Sequence, residues 1–146
     1  MVKCKARVAF KQYLPKKPTK WGFKVFAASD AESSMLCNFS IYTGQGQGDG
    51  DSEGLTHRVV VRSTQDLQLE NHGYVLFTDN FYTSPALAAS LRGRGIYLVG
   101  TVKTNRRGFP AELSQDTQLF EKCAERGSTR YVRRNDTLFQ QWKDQR

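Results

Sequence analysis

Apolar residues along this chain fall in short clusters separated by polar, Gly-rich or Pro-rich stretches, the pattern of an α/β domain with short elements. "GFKVFAAS" (22–29) and "SMLCNFSIYTG" (34–44) are apolar and aromatic, and the polar "DAESS" between them predicts a hairpin of two strands. Ahead of it, "KQYLPKKPTKWGFK" (11–24) has two prolines and no alternation, so it reads as an extended, exposed connector. "GQGQGDGDSEG" (44–54) reads as a flexible loop.

"HRVVVRSTQDLQLENHG" (57–73) is compatible with strand or helix at its start, and from Thr64 onward it predicts a short helix ending before Gly73. "YVLFTD" (74–79) is a continuous apolar run, as expected of a strand buried on both faces. Ser84 is then placed as a helix N-cap with Pro85 at the first helical position. Leu87 and Leu91 share one face, and Gly93 and Gly95 stop the helix. "IYLVGTVK" (96–103) is the next buried strand, and short links on either side of the helix imply a right-handed parallel crossover. "RGSTRYVRRNDTLFQQWKD" (126–144) predicts a second hairpin turning at Asn135-Asp136. The sum is an α/β domain with a mixed sheet.

Composition narrows the class. With 146 residues, 38% hydrophobic and 25% charged, the chain suits one soluble globular domain. No apolar run reaches the roughly 18 residues of a membrane span, and "MVKCKARVAF" lacks the features of a signal peptide. Cys4, Cys37 and Cys123 are odd in number and far apart, which argues for a reducing compartment. The net charge of +8 is uneven. Residues 1–24 carry eight basic residues and no acid, residues 25–100 four basic and eight acidic, and the remainder ten basic and six acidic. Basic flanks around an acidic centre suit a bound polyanion near a carboxylate site, and they equally suit a basic protein that is merely soluble.

Few residues stand out as chemistry. "GQGQG" follows a strand but opens no helix, so a dinucleotide site is not supported, and Asp49, Asp51 and Glu53 do not fit a calcium loop. His57 and His72 have no partner at ligand spacing and read as surface residues. Trp21, Phe23, Phe26, Phe81, Tyr82 and Trp142 read as core. Asp79 is the exception. It ends an apolar strand, where open α/β sheets gather ligands. Position alone favours a cap of the following turn, because a metal site for Mg²⁺ needs further carboxylates.

A resemblance changes that balance. "FKQYLPKKPTKWGFKVF", "YTG", "FTDNFYTSPALAASLRGRGIYLVGTVKTNRRGFP" and "WKDQR" resemble, in order from one end to the other, the catalytic domain of piggyBac-type transposases. The resemblance implies a DDE, RNase H-like fold in which three aspartates hold two divalent ions, Mg²⁺ or Mn²⁺. It implies strand cleavage and transfer on double-stranded DNA at TTAA targets through hairpin ends, action as a homodimer, and a nuclear location.

Carried onto this sequence, the second catalytic and metal-binding aspartate is Asp79. The first and third are expected beyond the two ends of the chain, and Asp144 belongs to the tryptophan motif instead. The expectation is an incomplete RNase H-like mixed sheet with flanking helices over about residues 1–105. A C-terminal β-hairpin from the start of an insertion region then occupies about 106–146. With most of the family's first strand expected before Met1, either a sheet with a gap or a poorly stable, aggregation-prone chain is expected. The chain is also expected to be inactive by itself, since one carboxylate cannot position two ions. Lys103, Asn105, Arg106 and Arg107 are the candidate DNA-phosphate contacts, against the alternative of a solvated loop. Arg130, Arg133 and Arg134 are on the second hairpin, facing either solvent or nucleic acid. The functional alternatives are a decayed or domesticated DNA-binding protein without catalysis, and a basic interaction module.

Overall fold

The computed structural model describes residues 1–44 and 54–144, so Asp49, Asp51 and Glu53 lie outside the described residues. The chain divides into two compact units, Met1–Leu69 and Glu70–Arg146.

In the first unit, β1 (Val2–Lys3), β2 (Gln12–Tyr13) and β3 (Trp21–Phe23) form a small antiparallel sheet in the order β1-β3-β2. The stretch expected as a connector is therefore partly paired. Leu14 N–H donates to the Lys20 carbonyl (2.8 Å), so the Pro-rich segment is the turn between two short strands and its prolines sit where no ladder donor is required. Trp21 is half-exposed, contrary to a core role, because its ring stacks beside Tyr13 (centroids 4.7 Å apart) on the outside of this sheet.

β4 (Val25–Ser29) and β5 (Leu36–Ile41) make the expected antiparallel hairpin. Its turn is locked by Asp30, whose Oδ2 accepts from the Ser33 N–H (2.7 Å) and hydroxyl (2.5 Å), holding that carboxyl below the usual range. Helix α1 spans Gly54–Asp66, so the helix occupies the start of its segment and ends near where the sequence placed its beginning. The reason is burial. His57, Val60 and Thr64 fall on one helical face and are buried, a periodicity that outweighs the strand preference of Val59–Val61. His57 is thus an interior residue, while His72 is exposed.

The second unit opens with β6 (Val75–Thr78), α2 (Pro85–Arg92) and β7 (Tyr97–Gly100), the parallel crossover read from the sequence. Ser84 caps α2, its Oγ accepting from Leu87 N–H at 3.1 Å, and Pro85 occupies the first turn, where its missing N–H costs nothing. Ser84→Ala is expected to cost about 1 kcal/mol, read as a shift of the urea midpoint. At the other end Ile96 N–H donates to Leu91 C=O and Gly95 N–H to Arg92 C=O. That is a Schellman closure in which Gly95, at φ +68°, takes the left-handed position, and Gly93 stays right-handed. Leu91 and Ile96, the positions between which such a closure usually carries an apolar contact, are both fully buried, as is Leu87.

Neither β6 nor β7 is buried on both faces. Val75, Phe77, Tyr97 and Val99 alternate onto one exposed face, Phe77 being 67% exposed, while Leu76 and Leu98 on the other face are half-buried. The apolar run reflects two hydrophobic faces, of which the one carrying Leu76 and Leu98 is the better covered among the described residues. Helices α3 (Ala111–Gln115) and α4 (Thr117–Cys123) follow, in a stretch for which the sequence pattern predicts no element. Leu113 is fully packed, and Thr117 and Phe120 continue its helical spacing. β8 (Thr129–Arg134) and β9 (Thr137–Trp142) form the expected hairpin about Asn135-Asp136, with Asn135 at φ +51°. Phe139 is buried against Phe109 (centroids 5.6 Å), whereas Trp142 faces outward, 56% exposed, on the opposite side of the alternation.

The single mixed sheet anticipated from the sequence is instead four small sheets among the described residues. Nearly every described strand pairs with its sequence neighbour, through hairpin turns or the crossover. The architecture is a mixed α/β one of several short sheets and helices.

Candidate functional site

The site is built at the carboxyl end of β6. Where the strand stops, the backbone folds into a turn: the N–H groups of Tyr82 and Thr83 both donate to the Asp79 carbonyl, at 2.9 and 3.1 Å. Thr83, nearly buried, ties this turn to the strand. Its Oγ1 bonds the Asp79 carbonyl (3.0 Å) and lies 2.8 Å from the Thr78 hydroxyl. The end of β7 closes on the same spot. A Cβ on Gly100 would collide with the Thr78 carbonyl oxygen and stand 2.6 Å from Thr83 Oγ1. Only a glycine lets the two parallel strands approach here.

The Asp79 carboxylate is exposed. Its Oδ1 accepts from the Asn80 N–H at 2.6 Å. The donors a capping side chain would take, those of Tyr82 and Thr83, go to the Asp79 main-chain oxygen, and Ser84 performs the capping of α2. The side chain therefore does not serve as the cap that position alone suggested. Beside it, burial raises the Tyr82 phenol above its ordinary range, and the negative charge of Asp79 adds to that rise.

The loop after β7 reaches back to this turn. Arg106 N–H donates to Lys103 C=O and Phe109 N–H to Arg106 C=O, each at 3.0 Å, so residues 103–109 form two consecutive tight turns. Gly108, at φ +85°, lies against Pro85, where an added Cβ would stand 3.3 Å from the proline Cβ. Of the four candidate phosphate contacts, Lys103, Asn105 and Arg107 are exposed on this loop. Arg106 is half-buried, and its Nη2 donates to the carbonyls of Asn80 (3.2 Å) and Phe81 (2.8 Å). Thr78, Thr83 and Gly100, which shape the turn, did not stand out in the sequence, where they read as ordinary strand and loop residues. Their only signal was proximity to Asp79 and to a strand end.

On the second hairpin, Arg130 and Arg134 are engaged within the fold. Arg130 donates to the Leu113 carbonyl (3.0 Å) and lies over the Phe120 ring, and Arg134 pairs with Glu112. Arg133 is exposed, its Nε donating to the Asn135 carbonyl at 3.0 Å.

Among the described residues no three His, Cys, Asp or Glu side chains converge. Asp79 by itself supplies one carboxylate, which does not fit a pair of divalent ions. Cys4, Cys37 and Cys123 are all free thiols. No described helix is long and apolar enough to cross a membrane.

The first strand of the parallel crossover thus ends on an exposed carboxylate, and the loop after β7 folds back onto that turn through Arg106. The chain belongs to the DDE transposase family described as Transposase IS4, which matches residues 1–146. It is also similar to the chain in the cryo-EM structure of a piggyBac transposase synaptic complex with hairpin DNA, with a TM-score of 0.80 and 23% identity. The match covers 95% of this chain and 28% of that one, so the present chain spans little more than a quarter of that transposase. The fold is that of a piggyBac-type transposase segment.

Proposed function

We propose that this chain is a portion of a piggyBac-type transposase catalytic domain, in which Asp79 is one of the metal-holding carboxylates and the loop 103–107 meets DNA phosphates. In this reading residues up to about 105 are the RNase H-like part and the remainder begins an insertion. The observation that carries it is the placement of Asp79: exposed, at the carboxyl end of a parallel strand, and not used as a helix cap. In a complete domain a divalent ion, Mg²⁺ or Mn²⁺, would stabilise the oxygens of a displaced phosphate. The residues of this chain have a narrower part. The turn holds the carboxylate outward, and Lys103, Asn105 and Arg107 supply charge and hydrogen-bond donors for a backbone. The duplex substrate, the TTAA target, action as a homodimer and a nuclear location belong to the same proposal. With a single candidate carboxylate, the chain by itself is not expected to nick supercoiled DNA in Mg²⁺.

Nuclear magnetic resonance with Mn²⁺ as a paramagnetic probe tests the assignment. Amide signals of Asp79, Asn80 and Phe81 are expected to broaden first, and Asp79→Asn to remove that broadening. Broadening that spares the turn, or that survives the substitution, rejects Asp79 as a ligand. Binding to a labelled duplex is the second arm. Two neutralised phosphates, at Lys103 and Arg107, predict a loss of roughly 12-fold in affinity between about 50 and 200 mM salt. Binding with Mn²⁺ insensitivity would leave a DNA-binding protein without catalysis, and failure to bind at low salt would remove DNA as the partner.

A further inference from the structure

Two adjacent arginines on the loop after β7 are alike in sequence and unlike in structure. Arg107 is exposed, whereas Arg106 is inserted: Nη2 bridges two successive carbonyls of the Asp79 turn, and Nε is buried with no hydrogen-bond partner among the described residues. We propose that Arg106 is a positioning residue that clamps the Asn80-Phe81 backbone and so sets the direction in which the neighbouring Asp79 carboxylate points. That this direction matters for chemistry rests on the reading of Asp79 given above; the clamp itself does not.

The need for such a clamp follows from the way α2 begins. Ser84, the N-cap of α2, is extended (φ −151°, ψ 154°), so the Asp79 turn does not run on into the helix, and Pro85 has no N–H to offer the Phe81 carbonyl. Arg106 donates to that carbonyl from 25 residues away, with a charge-assisted bond at 2.8 Å. A second bond from the same nitrogen to the Asn80 carbonyl fixes the Asn80–Phe81 peptide, one peptide removed from Asp79. The Asn80 N–H, on the other side of that residue, is the donor to Asp79 Oδ1. Peptide plane, amide direction and carboxylate are thus linked in sequence. The packing of Gly108 on Pro85 holds the loop in place for this contact. Lysine in place of Arg106 would bring a flexible point charge without the planar fork.

The test is amide hydrogen exchange and proton chemical shift on the whole chain, with R106M, R106K and the control R107M. In R106M the Tyr82 and Thr83 amides are expected to exchange at least about tenfold faster, the loss of about 1.4 kcal/mol of local protection. The Asn80 amide proton is expected to move upfield as its bond to Asp79 Oδ1 loosens. Gly93 and Ile96 at the end of α2, and the β8-β9 ladder, are expected to keep wild-type rates. R106K should recover part of the protection, and R107M should change nothing. Unchanged turn rates in R106M, or uniform acceleration across the second unit, overturns the proposal. Should R106M fail to fold, R106K decides: wild-type exchange at Tyr82 and Thr83 together with an unmoved Asn80 proton overturns it. None of these readouts depends on metal, so a negative Mn²⁺ result dismisses the role of Asp79 and leaves the clamp to be judged by exchange.

Discussion

Gly100→Ala is expected to destabilise the second unit by about 3 kcal/mol, the upper part of the usual range for overpacking a filled site. The added methyl would fall on the Thr78 carbonyl oxygen and lie 2.6 and 2.9 Å from the Thr83 and Thr78 hydroxyl oxygens. A backbone oxygen cannot swing aside as the tip of a long side chain can. Relief requires β7 to move away from β6 at their paired ends, where Thr78 faces Gly100. The same movement would pull apart the hydroxyl contact between Thr78 and Thr83, leaving the turn that carries Asp79 without its inner support. The change is thus expected to lower the urea midpoint of the second unit and to raise exchange at Tyr82 and Thr83 together. A variant with wild-type stability and an unaltered turn would show that the two strands do not approach as closely as described.

Leu91→Ala comes second, with an expected cost of about 2–5 kcal/mol and a fall of melting temperature of roughly 10 °C. Leu91 is fully buried on the inner face of α2, one turn from the equally buried Leu87, and its carbonyl closes the helix by accepting from Ile96 N–H. Truncation leaves a cavity between α2, β7 and the fully buried Ile96, in a unit with few other wholly buried side chains to collapse into it. Leu98, on the same strand but only half-buried, is the internal comparison: Leu98→Ala is expected to cost clearly less. Thermal unfolding followed by the signals of the second unit separates the two, and equal losses would mean that burial in α2 does not dominate its stability.

Where the pattern of residues is governed by neighbours close in the chain, it was readable. The turn of the first hairpin at "DAESS", the Ser84-Pro85 helix start, the Gly95 stop and the Asn135-Asp136 hairpin all depend on contacts within a few residues, and each is observed. Misreadings occur where burial from a distant element decides. "RVVV" has the β-branched content of a strand, yet His57, Val60 and Thr64 are buried together on a helix. "VLF" has the continuous apolarity of an interior strand, yet Val75 and Phe77 are exposed. Trp21 and Trp142 are apolar enough for a core and lie on the outer side of their sheets.

By itself, then, the order of residues determined the membership of this chain in its family, the parallel crossover whose first strand stops at Asp79, and the caps that start and stop α2. These depend on local backbone chemistry and on motifs contiguous in the chain. Only the tertiary structure decided which of two neighbouring arginines turns inward and which glycine the strands cannot do without. Each of those is a contact across many residues, where hydrogen-bond donors and atomic volume must be matched in space, and linear spacing carries no information about that match.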